Sequence, residues 1–178
     1  YWNDKSSENV IVYSNADEVE LFLNDELIAR QKPDSGKNTK NLNHPPFSFK
    51  LNEFMDGTLK AIGFVDGKKI AEDIVITPQK PTKLKVWLDE SGKNPTAGQS
   101  DILFLYVAAV DENGTINPDF SETITLDING NAKVMNLDAV KAEAGIASAV
   151  LQLGNSKETI SVSATSKSLK GNMEFVIE

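Results

Sequence analysis

Apolar and polar residues alternate strictly along most of the chain, and the alternation predicts strand after strand. Val19, Leu21 and Leu23 fall on one face of segment 18–23, while Glu18, Glu20 and Phe22 fall on the other. A period of two residues marks a β-strand with one buried face. Asn24-Asp25 then supplies a two-residue turn, and Leu27-Ile28-Ala29-Arg30 returns as the partner strand. Residues 10–13 are a short apolar run, and residues 33–43, rich in Lys, Asn, Ser and Gly, read as an exposed loop. Phe47, Phe49 and Leu51 alternate inward behind His44-Pro45-Pro46, whose prolines stiffen the entry into their strand. Asp56-Gly57 marks a turn. Residues 58–65 and 68–77 flank Asp66-Gly67, a strong hairpin signal.

Pro78-Gln79-Lys80-Pro81 interrupts this pattern, because neither proline can donate to a sheet. The domain boundary is placed here, giving domains 1–79 and 80–178. The second block opens with Leu84, Val86 and Leu88 on one face and Lys83, Lys85, Trp87 and Asp89 on the other. Residues 90–100 form a loop. Residues 102–110 are apolar on both faces, which predicts a central strand covered on both sides. Asp111-Glu112-Asn113-Gly114 is a turn. Strands follow at 123–128 and 133–135, then around Ala147, Ala149, Leu151 and Leu153, around Ile160, Val162 and Ala164, and at 172–177. Residues 138–144 hold the only run of good helix formers. Seven residues are too few for a stable helix alone, so they read as a loop with at most one helical turn. Short, regularly spaced strands with Gly, Asn and Asp turns define an all-β chain of two consecutive β-sandwiches.

Charge narrows the partners. The net charge is −8, from 26 acidic and 18 basic residues, with no basic stripe, so neither nucleic acid nor a membrane surface is expected to bind. No apolar run approaches the ~20 residues of a membrane helix. A hydrophobic content of 40% and a charged content of 25% fit a folded domain. The lack of cysteine excludes disulfides, thiolate zinc sites and a cysteine nucleophile together. The chain begins at Tyr1 with no methionine and no charged-then-apolar leader, as expected of a mature or excised fragment.

Candidate chemistry is sparse. His44, the one histidine, precedes a Pro-Pro step and reads as a loop residue. Asp17, Glu18 and Glu20 cluster, but Glu18 and Glu20 point away from the core and read as solvated carboxylates without a partner. Asp111 and Glu112 open a segment with a faint likeness to a calcium loop. Asp119 and Glu122 do not stand where the late bidentate ligand is needed, so a hairpin turn is the better reading. No catalytic residue, metal site or cofactor is therefore expected. Tyr1, Trp2, Trp87 and Phe120 are the aromatic residues assigned outside the core. Trp87 is the one candidate for substrate binding. Packing against the first domain is its preferred role, with plain exposure or sugar stacking as alternatives.

The segment Val12-Tyr13-Ser14-Asn15-Ala16-Asp17-Glu18-Val19-Glu20-Leu21-Phe22-Leu23-Asn24 resembles one that follows the catalytic barrel in bacterial glycoside hydrolases of family 2, the β-galactosidase type. The resemblance continues through Pro46-Phe47, Gly57-Thr58-Leu59-Lys60-Ala61, Asp66-Gly67-Lys68 and Thr77, with Tyr1-Trp2-Asn3 similar to the entry into the same domain. Asp25 departs from the usual Asn-Gly turn. Residues 82–178 resemble the C-terminal immunoglobulin-like domain of these enzymes, which is related to adhesion-type modules. The resemblance implies two consecutive immunoglobulin-like sandwiches in a bacterial enzyme that acts in the periplasm or outside the cell. It implies a retaining glycosidase with two glutamates on a TIM barrel, and no residue here matches either glutamate. The implied partners are that barrel and the other domains of the parent chain, with a glycan as a further possibility. An independent carbohydrate-binding or cell-surface adhesion module is the alternative.

Overall fold

The computed structural model describes residues 8–99, 101–136, 138–167 and 169–178. Fourteen strands and no helix occur among them, and no helix is long and apolar enough to cross a membrane. The chain divides into two compact units between Thr77 and Pro78.

The first unit contains β1 (Asn9–Val12), β2 (Glu18–Leu23), β3 (Glu26–Gln31), β4 (Phe47–Lys50), β5 (Thr58–Val65) and β6 (Lys68–Ile76). An antiparallel sheet in the order β3-β2-β5-β6 is faced by the pair β1-β4. Between them pack Val19, Leu21, Leu23, Phe47, Phe49, Leu51 and Leu59, the inward positions of the alternation. Asn24 and Asp25 both take positive φ (51° and 64°), as do Asp66 and Gly67 (50° and 74°), so both hairpins close through the turn class that matches strand twist. Asp25, which lacks the freedom of a glycine, is joined to Lys60 Nζ at 2.7 Å. That hydrogen bond, and then the ammonium charge, hold the Asp25 carboxyl below its ordinary value.

Asn24 also reaches across the sheet. Its Nδ2 donates to the Asp56 carbonyl at 2.8 Å, and its Oδ1 accepts the Thr58 N–H at 2.8 Å. Gly57 sits between those two residues with φ +133°, and a Cβ there would overlap the Asn24 carboxamide. Glycine is required for both reasons.

The second unit contains β7 (Lys83–Asp89), β8 (Ile102–Val110), β9 (Thr123–Asn129), β10 (Ala132–Val134), β11 (Ala139–Lys141), β12 (Ile146–Leu153), β13 (Thr159–Ser166) and β14 (Leu169–Val176). Sheet β10-β12-β8-β7 packs on sheet β11-β9-β13-β14, all pairs antiparallel. Leu105, Val107, Leu151, Ile124, Ile160 and Val162 fill the space between them. Leu84, Val86 and Leu88 join this core while Trp87 faces outward, as the alternation requires.

Two expectations fail. Residues 138–144 hold β11 rather than a helical turn: Ala139, Val140 and Lys141 pair with Thr125, Ile124 and Thr123 of β9. Pairing satisfies backbone groups that a seven-residue helix would leave open, and it seats Ala142 in the core at 1% exposure. Strand β8 is interior to its sheet, yet its outer face is not covered throughout. Ala108 and Val110 are fully buried, whereas Ile102 is 60% and Phe104 49% exposed.

Asp111 follows β8 and has no exposed surface. Its Oδ1 accepts the N–H groups of Asn113 and Thr115, both at 2.9 Å, and its Oδ2 accepts that of Gln79 at 3.0 Å. Burial pushes this carboxyl up, but the backbone N–H groups of Gln79, Thr115, Asn113 and Gly114 together outweigh burial and hold it below its ordinary value. Asn117 Nδ2 donates to the Gln79 carbonyl at 3.0 Å, so both backbone groups of Gln79 are held by this unit. On the other side of Pro78, the Thr77 N–H donates to the Gly57 carbonyl and Thr77 Oγ1 accepts the Gly57 N–H. The chain therefore passes from the contacts of one unit to those of the other within two residues.

Gly57→Ala is expected to destabilise the first unit by about 2–4 kcal/mol, read as a shift in its urea midpoint. Asp111→Ala leaves three backbone N–H groups without a partner and should lower the stability of the second unit by about 2 kcal/mol or more. The sign with pH follows from the lowered pKa. A depressed carboxyl stabilises fully above its unfolded-state value and loses that effect as pH falls through the folded one. Unfolding midpoints of the second unit should therefore fall below about pH 4. Asp111→Asn, which cannot ionise, should flatten that limb.

Candidate functional site

The acidic cluster of the first unit is occupied by a structural contact. β2 and β3 pair so that Arg30 lies opposite Glu20. Its Nη2 meets Glu18 Oε2 at 2.6 Å, its Nε donates to the same oxygen at 3.0 Å, and its Nη1 meets Glu20 Oε1 at 3.2 Å. The guanidinium lies 4.7 Å from the centroid of the Phe64 ring. Lys60 repeats the arrangement one step along, 5.3 Å from the Phe22 ring. Glu18 and Glu20 are thus not solvated carboxylates without a partner, as their outward direction implied. The sequence pattern placed them on the correct face, but the matching of Arg30 to both depends on the register of the hairpin.

His44 lines an open cleft of about 630 Å³, together with Asp17, Glu18 and Lys32. Asp17 Oδ2 accepts the Asp66 N–H at 3.1 Å and so steadies the β5–β6 hairpin. Glu18 is held by Arg30. The cleft brings the histidine near two carboxylates, both already committed to holding strands together. Among the described residues no group of three or more His, Asp or Glu side chains is placed to hold a metal ion.

The aromatic candidates divide. Tyr1 and Trp2 lie outside the described residues. Phe120 packs against the core of the second unit, contrary to its assignment outside the core; the Gly145 N–H donates to its carbonyl and draws its loop onto the sandwich. Trp87 is half-buried on the outer face of β7, directly opposite Tyr106 of β8. The two rings stack with centroids 5.4 Å apart and planes 22° from parallel. Phe104, two residues back along β8, continues the row at 6.3 Å and 24°. Lys85 Nζ stands 5.8 Å from the Trp87 centroid. Sequence reasoning found Trp87 and missed Tyr106 and Phe104, because a strand apolar on both faces was read as covered on both. The signal lay in the outward set of that strand, Ile102, Phe104 and Tyr106, which is too aromatic for a solvated face.

Each unit matches a family model of its own. Residues 6–71 match a domain of unknown function (DUF4982), and residues 87–173 match the glycoside hydrolase family 2 C-terminal domain 5. A β-galactosidase from Thermoanaerobacter pseudethanolicus is 31% identical over 153 residues, covering 81% of this chain and 20% of that protein. A β-galactosidase from Bacteroides ovatus is 29% identical over 141 residues, covering 78% of this chain and 15% of that protein. The crystal structure of a glycosyl hydrolase family 2 member from Bacteroides cellulosilyticus superposes over 100% of this chain and 24% of its own, with a TM-score of 0.81 at 23% identity. A β-glucuronidase of the same family superposes with a TM-score of 0.79 at 22% identity. The fold is thus that of paired all-β sandwiches carried by multidomain glycosidases. The chain is a C-terminal region of the glycoside hydrolase family 2 type, and it spans a fifth or less of the curated relatives it matches.

Proposed function

We propose that this chain is the non-catalytic C-terminal part of a family 2 glycoside hydrolase and that its two sandwiches stabilise or position the catalytic barrel of the parent enzyme. The observation that carries this reading is the use of the clustered carboxylates. Glu18 and Glu20 share one arginine, Asp17 holds a hairpin and Asp111 is enclosed by backbone N–H groups. A retaining glycosidase needs one carboxyl as acid and a second about 5–5.5 Å away as nucleophile, both open to the sugar. The commitment of these carboxylates to strands and turns supports the accessory reading.

On this reading the first unit follows the barrel and the second, which begins at Pro78, forms the adhesion-type domain. The parent is a retaining O-glycosyl hydrolase of the β-galactosidase type, bacterial and periplasmic or extracellular, in carbohydrate metabolism. Relatives named as β-galactosidases support the substrate class. The barrel and the remaining domains of the parent chain are the partners, and no nucleic acid, membrane or cofactor takes part.

The purified 178-residue chain is expected to release no nitrophenol from p-nitrophenyl β-galactoside or β-glucuronide. Turnover that follows the protein peak through chromatography would overturn the reading. In a parent enzyme that carries this region, its deletion should shorten the half-life of activity on heating while sparing the residues that act on the sugar.

A further inference from the structure

We propose that Asn129-Gly130, at the corner where the chain leaves β9 for β10, is a site of spontaneous deamidation, which the fold leaves open while it closes the second Asn-Gly pair, Asn113-Gly114.

The reaction needs a backbone nitrogen beside a carboxamide, with water as the only other reactant. The Gly130 nitrogen attacks Cγ of Asn129 and gives up its proton to solvent base. A nitrogen–carbon bond forms, and the carboxamide nitrogen leaves as ammonia with a proton from water. Water then opens the five-membered imide. Breaking its bond from nitrogen to Cγ gives aspartate, and breaking its bond to the main-chain carbonyl carbon gives isoaspartate. A side chain on the following residue crowds the attack, and only Asn113 and Asn129 are followed by glycine. Asp56-Gly57 and Asp66-Gly67 have the same spacing, but an ionised carboxylate is a far poorer target than a carboxamide.

The attacking nitrogen separates the two asparagines. The Gly114 N–H donates to the Asp111 carbonyl at 3.1 Å, and the Asn113 and Thr115 N–H groups on either side of it donate to Asp111 Oδ1. Three successive N–H groups are thus held, and attack must first open that turn. At the other pair, neither the Gly130 N–H nor the Asn129 carboxamide has a hydrogen-bond partner among the described residues. Both residues are exposed. Asn129 is the last residue of β9, opposite Ser161, and Gly130 takes φ +116° beyond the end of the strand. The peptide that must close on the carboxamide therefore lies outside the sheet ladder.

The residue that follows gives the change its effect. The Asn131 N–H donates to Glu158 Oε1 at 3.0 Å, its Nδ2 donates to Ser156 Oγ at 2.7 Å, and its carbonyl accepts the Gly154 N–H at 2.7 Å. These bonds clamp the corner through which the chain passes from sheet β11-β9-β13-β14 to sheet β10-β12-β8-β7. Isoaspartate adds one carbon to the main chain just before the clamp, and either product adds a negative charge to a chain already at −8. The second unit thus loses stability with age, and it does so whether or not the two units support a catalytic barrel.

The test ages the 178-residue chain in mildly alkaline buffer, with a parallel sample in guanidinium chloride, and then cuts both after glutamate. Cleavage at Glu112, Glu122 and Glu143 puts Asn113 on peptide 113–122 and Asn129 on peptide 123–143. Fragmentation mass spectrometry should find aspartate and isoaspartate at position 129 of the folded chain. They should form about five times faster there than at position 113, the factor that one hydrogen bond of ordinary net strength on Gly114 supplies. In guanidinium chloride the two rates should converge. Asn129→Gln, whose longer side chain closes its ring far more slowly, should remove the main acidic species on isoelectric focusing. Its melting temperature should hold on ageing while that of the parent chain falls. Conversion at position 113 as fast as at 129 in the folded chain would overturn the proposal, as would an unreacted position 129 while the sample in guanidinium chloride reacts. A preference for position 129 that persists in guanidinium chloride would assign the selection to local sequence and overturn it equally. Conversion without a fall in melting temperature would overturn the effect assigned to the corner. None of these outcomes bears on the glycosidase assay, which tests the barrel-supporting reading separately.

Discussion

The Asp111 carboxylate lies without exposed surface at the end of the longest apolar strand of the second unit, and much of that unit's order runs through it. An ionised group in such a place is tolerated only if its lone pairs are filled. Three backbone N–H groups fill them, two from the turn that follows β8 and one from Gln79. The same carboxylate therefore shapes the turn after β8 and ties the first residues of the second unit to it. Asn117 adds the reciprocal bond to the Gln79 carbonyl. With Thr77 bonded to Gly57 on the other side of Pro78, the transition between units is narrow because backbone groups are claimed right up to it.

The two sandwiches use charge differently on their outer faces. In the first unit, acids and bases are matched across strands over aromatic rings, with Arg30 between two glutamates and over Phe64, and Lys60 joined to Asp25 beside Phe22. Those rings are shielded by paired charges. In the second unit the aromatic row Trp87–Tyr106–Phe104 has one lysine beside it. The first face is closed by its own ion pairs, whereas the rings of the second are covered mainly by one another.

Much of the fold was legible because a strand with one buried face writes its direction into alternate residues. Val19, Leu21, Leu23, Phe47 and Phe49 were assigned inward from spacing alone, and they are the core. Asp66-Gly67 and Asn24-Asp25 were assigned as hairpin turns from side chains that accept positive φ. Residues 138–144 misled because local helix preference is weak, and a free strand edge on β9 offered backbone partners that no local measure records. The candidate site was half legible. Trp87 showed itself by facing outward among lysines, while Tyr106 and Phe104 were hidden in a run that looked covered on both faces.

The amino-acid sequence by itself determined most of the strands, their inward faces and the tight turns, since these rest on residue type at short spacing, and its segments carried the resemblance to the family. Only the tertiary structure decided which side chains meet. Register set Arg30 between Glu18 and Glu20, chain folding carried Gln79 back to Asp111, and the β7–β8 pairing laid Trp87 on Tyr106. Contacts of that kind join residues distant along the chain, and their geometry exists only once the sheets have formed.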